Sequence, residues 1–123
     1  MNAERVLLVT GGGSGIGAAV ACRAADEGWT AVITGRRAEA LQRTAGHSSR
    51  IIPMPADVTD PEAVRDLVAS IAERFGRLDA VVANAGAMFT GSVAETSLED
   101  WNGALKINLT AAFILAHESI PYL

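Results

Sequence analysis

Four short apolar runs alternate along the chain with longer stretches in which apolar residues recur every three or four positions. Val6-Leu7-Leu8-Val9 is the first run, and residues 30–34, 50–55 and 78–83 supply the others. Apolar runs without polar alternation predict parallel strands covered on both faces. Helices are predicted between them. The first spans residues 15–27, with Ile16, Ala19, Val20 and Ala24 turned inward and Gly28 closing it. A second spans residues 37 to about 44. Asp60-Pro61 opens a third, in which Val64, Leu67, Val68, Ile71 and Phe75 recur at helical spacing before Gly76. Two prolines, Pro53 and Pro55, place the third run at a sheet edge. Thr96 with Glu99 has the spacing of a capping box for a last helix that runs to about residue 119.

The repeated strand–helix order, with short connections and no linker or repeat, predicts an α/β fold. Its core is a parallel sheet with helices on both faces. The last helix stands apart. Trp101, Ala104, Leu105, Ile107, Leu109, Ala111, Ala112, Phe113, Ile114, Leu115 and Ala116 surround it with apolar surface. A helix of that kind is buried on more than one side. One side can cover the sheet; the other calls for further chain or a second subunit.

Composition narrows the class. The 123 residues make one domain or a piece of one, half hydrophobic and 20% charged. A net charge of -4 argues against nucleic acid or an anionic membrane as the main partner. No apolar stretch approaches the roughly 20 residues that span a bilayer. The polar start, Met1-Asn2-Ala3-Glu4-Arg5, lacks a signal-peptide core. The single cysteine, Cys22, excludes an internal disulfide and suits a reducing, cytoplasmic setting, where it serves as a small apolar helix residue. His47 lies in a polar loop and is read as solvated, while His117 suits the negative end of the last helix. Neither has a carboxylate or cysteine at ligand spacing, so no metal site is expected.

Chemistry concentrates in Thr10-Gly11-Gly12-Gly13-Ser14-Gly15-Ile16-Gly17, between the first strand and first helix. Glycines there let the backbone turn sharply and lie against a pyrophosphate at the positive end of the helix. The bland alternative is an ordinary tight turn, and the strand-to-helix context favours phosphate.

The Thr-Gly-x-x-x-Gly-Ile-Gly spacing resembles the cofactor loop of the short-chain dehydrogenase/reductase family, single-domain branch. Asp57-Val58, Asn84-Ala85-Gly86 and the stretch from Trp101 through Ile107-Asn108-Leu109 to Phe113 match three further family motifs in order. The resemblance implies a Rossmann-like sheet of four βα units with strand order 3-2-1-4, ending before a fifth strand. The whole chain, residues 1–123, is then an incomplete NAD(P)-binding domain. It implies cofactor contacts at Gly11, Gly13, Ser14, Gly15, Ile16, Gly17, Asp57, Val58, Asn84, Ala85 and Gly86. Asn108 becomes the active-site asparagine that bends its helix and holds a water of the proton relay. Asp57 has a plainer reading as the cap of its own turn, and Asn84 one as a turn residue.

The end of the second strand bears on cofactor choice. A carboxylate there would bond the adenosine ribose and favour NAD. Gly35 stands there instead, followed by Arg36 and Arg37, which can pair with a 2′-phosphate. NADP is expected, with NAD possible.

The resemblance also implies a catalytic tyrosine with a lysine four residues later, and an upstream serine. The chain has one tyrosine, Tyr122, and one lysine, Lys106, in the wrong order. The expected activity is therefore hydride transfer between a nicotinamide and a small carbonyl or alcohol substrate, with this chain supplying the cofactor-binding half. Alone it is expected to be inactive, and to form a homo-oligomer through the helix of residues 97–119. The alternatives are a non-catalytic dinucleotide-binding module and, less well matched by its glycine spacing, a sugar-nucleotide epimerase.

Overall fold

A computed structural model describes residues 4–123; the first three residues of the polar start lie outside the described residues. Four parallel strands form one sheet: β1 (Val6–Thr10), β2 (Thr30–Thr34), β3 (Ile51–Pro53) and β4 (Ala80–Val82). Their order is β3-β2-β1-β4, as expected. The register sets Val9 of β1 between Ile33 of β2 and Val82 of β4. β1 and β2 are buried throughout, which is why their sequences are unbroken apolar runs ending in threonine. β3 is an edge strand, and Pro53 pairs there without needing a second ladder partner for its missing N–H.

Successive side chains of β1 point to opposite faces and so divide the core in two. Val6 and Leu8 join Val32 under Val64, Leu67, Val68 and Ile71 of α3 (Pro61–Phe75) and Ile114 and Leu115 of α5 (Ala111–Ser119). Leu7 and Val9 join Ala31 and Ile33 under Ala21 and Ala25 of α1 (Gly15–Asp26) and Leu41 of α2 (Ala38–Ala45). Cys22 packs, half-buried, against this second cluster. Asp60 caps α3 as predicted, its carboxylate accepting from the amides of Glu62 and Ala63.

Three expectations are corrected. The inward face of α1 is Gly17, Ala21 and Ala25, whereas Ile16 is 75% exposed, Ala19 is exposed, and Val20 and Ala24 are half-buried. The helix is rotated because Gly17 must pass directly beneath the loop before it. The cap of the last helical region is Ser97, whose hydroxyl accepts from the Asp100 amide at 3.0 Å. Thr96 instead turns its hydroxyl back to the Ser92 carbonyl at 2.8 Å, so Thr96 and Glu99 form no capping box. Finally, the last helix is not one α-helix buried on two sides. It is α4 (Leu98–Leu105), a single π turn (Lys106–Thr110) and α5, and only α5 contributes buried residues. Trp101, Leu105, Leu109 and Phe113 are exposed because the packing against α3 and β4 engages the other side of this helical region.

At the opposite end of the sheet, Asp79 accepts from the Val6 amide at 2.8 Å and is gripped by Arg77 at 2.6 and 2.8 Å. The Arg77 hydrogen bonds, reinforced by the Val6 amide, hold the Asp79 carboxyl below the usual 3.8. A carboxylate lowered on folding stabilises the protein above its unfolded value and loses that contribution as pH falls through the folded one. Replacing Asp79 with Asn should lower stability at neutral pH by no more than about 1 kcal/mol, the scale of a solvent-screened ion pair. Urea titrations from pH 7 to pH 3 should show the wild type approaching the variant below about pH 4. A constant gap across that range would rule out the carboxylate as its source.

Candidate functional site

The strands end together, and the residues singled out by sequence gather over their carboxyl ends. Thr10, last in β1, is the junction. Its Oγ1 accepts from the amides of Asn84 and Ala85, both at 3.0 Å, and donates to the Val82 carbonyl at 3.4 Å. Asn84 answers with its Nδ2, which donates to the carbonyls of Thr10 (3.1 Å) and Gly11 (3.2 Å). The ends of β1 and β4 are thereby pinned to each other. Sequence reasoning named Thr10 only as the start of the glycine loop; its place opposite an asparagine one strand away was the missing information.

The loop itself is shaped by two positive backbone angles, φ +66° at Gly11 and +55° at Gly15, a region that side chains disfavour. Gly17 is needed for close approach. A Cβ there would run into the Gly11 carbonyl and come within 2.5 Å of Asn84 Nδ2. Ser14 stands at the α1 N-terminus in extended conformation and makes no capping bond with its side chain. The first turn carries no acidic residue, so the positive end of α1 is left undiluted.

A cleft of about 680 Å³ opens over this loop. Gly11, Gly13, Ser14, Gly15 and Ile16 line one side, Arg36 and Arg37 the end of β2, and Asn84, Ala85 and Gly86 the end of β4. Val58 lines it as well, together with Ala56 and, from the π turn, Ile107. Three predicted site residues, Gly17, Asp57 and Asn108, lie beside the cleft and hold its walls. A phosphate-bearing ligand fits what is present: open space at Gly15, a free helix N-terminus, and guanidinium groups at the far end.

Asp57 caps its own turn, its Oδ1 accepting from the Thr59 hydroxyl (2.7 Å) and amide (2.9 Å). Those two hydrogen bonds, with smaller help from the charges of Arg36 and Lys106, hold its carboxyl below the usual range. Oδ2 takes no hydrogen bond among the described residues. Asn108 makes a two-way clamp on the segment after β4: Oδ1 accepts from the Ala87 amide at 3.0 Å and Nδ2 donates to the Ala87 carbonyl at 2.8 Å. Gly86 lets it come close, since a Cβ there would sit 2.7 Å from Asn108 Oδ1. The asparagine thus mimics a peptide group in the middle of the π turn.

His47 pairs with Asp26 at 2.9 Å away from the cleft, and His117 stacks on Phe113. Among the described residues no three His, Cys, Asp or Glu side chains cluster as metal ligands, and no helix is long and apolar enough to cross a membrane.

The sequence profile described as short chain dehydrogenase matches residues 5–123. The chain belongs to the short-chain dehydrogenase family. It is 40% identical over 124 residues to a 3beta-hydroxysteroid dehydrogenase of Mediterraneibacter gnavus, covering 95% of this chain and 44% of that one. It is 33% identical over 120 residues to an uncharacterized oxidoreductase of Staphylococcus aureus, covering 96% of this chain and 52% of that one. A short-chain dehydrogenase from Streptomyces avermitilis superimposes with a TM-score of 0.94 at 32% identity, over 99% of this chain and 45% of that structure. The chain therefore spans about half the length of the curated relatives it matches.

The contact beneath Gly17 gives a direct test. Gly17→Ala should separate the Gly11 carbonyl and Asn84 from α1 and lower stability by about 1–3 kcal/mol in urea unfolding. Loss should be visible as faster hydrogen exchange at the Asn84 and Ala85 amides. Wild-type exchange at both would show that the junction tolerates the methyl group.

Proposed function

We propose that this chain is the cofactor-binding half of a nicotinamide-dependent oxidoreductase and that it selects NADP over NAD. The observation that carries the cofactor choice is the pair Arg36 and Arg37 in the cleft wall, where Gly35 leaves the end of β2 without a carboxylate. A carboxylate there would accept from ribose hydroxyls; two guanidinium groups instead match a 2′-phosphate. The glycine loop and the amides opening α1 would hold the pyrophosphate, and Oδ2 of Asp57 with Val58 would bind the adenine. Asn84, Ala85 and Gly86 border the other end of the cleft, where the nicotinamide-side ribose would lie.

When bound, the nicotinamide supplies or accepts the hydride exchanged with a carbonyl or alcohol carbon of a small-molecule substrate. Asn108 contributes by position. Both ends of its side-chain amide are committed to Ala87, so any relay water would be held by the main chain of the π turn. The sequence contains no Tyr-x-x-x-Lys pair to donate the proton, and this chain alone should turn over no carbonyl substrate. The exposed apolar row Trp101, Leu105, Leu109 and Phe113 would face a second copy of the chain. Leu109→Glu should then shift the sedimentation coefficient to that of a monomer, and an unchanged oligomer would exclude this row as the contact.

Cofactor choice is tested by Arg36→Ala. Its affinity for NADP, measured by calorimetry, should fall by about tenfold to a hundredfold, as expected for one charge-assisted pair of about 1.5–3 kcal/mol. Affinity for NAD should change by less than about threefold. Equal losses for both would sink the 2′-phosphate assignment.

A further inference from the structure

The apolar row on the last helical region is arranged symmetrically about one residue. Leu105 and Phe113 stand four residues on either side of Leu109, Trp101 and His117 eight, and Leu98 and Ile120 eleven. All seven are exposed, the six hydrophobic ones by between 39% and 73%. His117, the one polar member, stacks on Phe113 with ring centroids 5.6 Å apart and so continues the row past it. On a plain α-helix of about 3.6 residues per turn, a spacing of four drifts by about 40° at each step, and the row would wind away. The π turn from Lys106 to Thr110 lies across its middle, and the wider turn sets the row back toward one face.

A surface with this symmetry complements itself. In a two-fold dimer each contact is made twice, residue i of one copy against j of the other and j against i. Two copies of the row laid antiparallel, with the axis at Leu109, give every member an opposite number. Leu109 meets itself, Leu105 the partner's Phe113, Trp101 the partner's His117 and Leu98 the partner's Ile120. Shifting the axis by one turn toward either end leaves the outer members of the row unmatched. A parallel pairing would oppose each residue to its own copy. It would set Glu99 and Asp100, in the first turn of α4, against the same acidic residues and align the two helix dipoles. The antiparallel pairing moves those carboxylates to opposite ends, opposes the dipoles and matches the bulk of Phe113 to the smaller Leu105.

We propose that a second copy of this chain packs antiparallel on this row with the two-fold axis at Leu109. The proposal rests on the reading of the row as an oligomer contact, and deepens it by fixing the partner's orientation and the residue pairs that meet. Leu105 and the partner's Phe113 lie nearest the axis after Leu109, so they meet over the usual range of crossing angles. The Trp101 and His117 rings, farther out, add aromatic pairing at both ends. The axis falls next to Asn108, in the turn from which Ile107 lines the cleft. The dimer thereby joins two clefts through the turn that shapes one wall of each.

Disulfide trapping tests the axis, in a Cys22→Ala background that removes the chain's only thiol. Leu109→Cys should oxidise to a covalent dimer, because only a residue on the axis meets its own copy within disulfide reach. Leu105→Cys and Phe113→Cys should each stay uncoupled, and the two together should cross-link. Coupling by each of those single variants would show a parallel pair and overturn the proposal. No coupling at Leu109 in a chain that sediments as a dimer would overturn it as well. If Leu109→Glu still dissociates that dimer, the row stays as the contact and only the axis is lost. Charge exchange checks the same pair without cysteine. Leu105→Glu and Phe113→Lys should each weaken the dimer by at least about tenfold, and the double variant should recover about tenfold of the loss. A double variant as weak as the weaker single would overturn the pairing. A wild-type chain that sediments as a monomer at every attainable concentration would remove the oligomer reading, and this inference with it.

Discussion

Everything at the carboxyl end of the sheet hangs on the exchange of hydrogen bonds between Thr10 and Asn84. A hydroxyl that accepts twice and donates once, facing an amide that donates to two carbonyls, leaves no freedom in how β1 and β4 end. These groups are partly buried, and each would be costly to leave without its partner. The glycine loop inherits its position from that junction: Gly11 is held from above by Asn84, and α1 rises beneath it only because Gly17 has no side chain. The positive helix terminus, the floor of the cleft and the segment after β4 are therefore parts of one braced unit.

A second brace closes the cleft from the side. Asn108 holds Ala87 as a neighbouring strand would, although it sits in a helix. The π turn is what permits this, because the extra residue in the turn changes the phase of the helix and brings the asparagine round to the segment after β4. An asparagine inside an apolar helix is a weak helix former, and the clamp it makes explains why one is tolerated there. The helix is consequently split in its roles, with α5 supplying core and α4 none.

The sheet order, the strand positions and the membership of the cleft wall were legible in the sequence because they follow from apolar runs and from a motif read residue by residue. What escaped was phase. The apolar residues Ile16 and Val20 pointed to one face of α1, yet the tight passage of Gly17 under Gly11 rotates the helix so that alanines face inward. Steric contact at one glycine outweighed the burial of larger side chains. The apolar perimeter of the last helix was likewise visible, but the sequence could not show that a π turn divides it, since nothing in its periodicity marks the extra residue. Thr96 and Ser97 are adjacent capping candidates, and only the hydroxyl directions separate them. The second role of Asp57 was legible as an alternative, and the turn it caps engages only one of its two carboxylate oxygens.

The Thr10–Asn84 junction also has a kinetic side. Its partners are 74 residues apart in sequence, and between them lie α1, β2, α2, β3, α3 and β4. Closing such a loop is entropically expensive until the intervening elements have packed, so the junction forms late in folding. The cleft cannot exist in a partly folded chain, because its loop and its far wall come from the two ends of that span. Any ligand that bridges them binds the assembled state alone and stabilises the whole sheet by mass action. Occupancy of the cleft is then a measure of how completely this chain has folded.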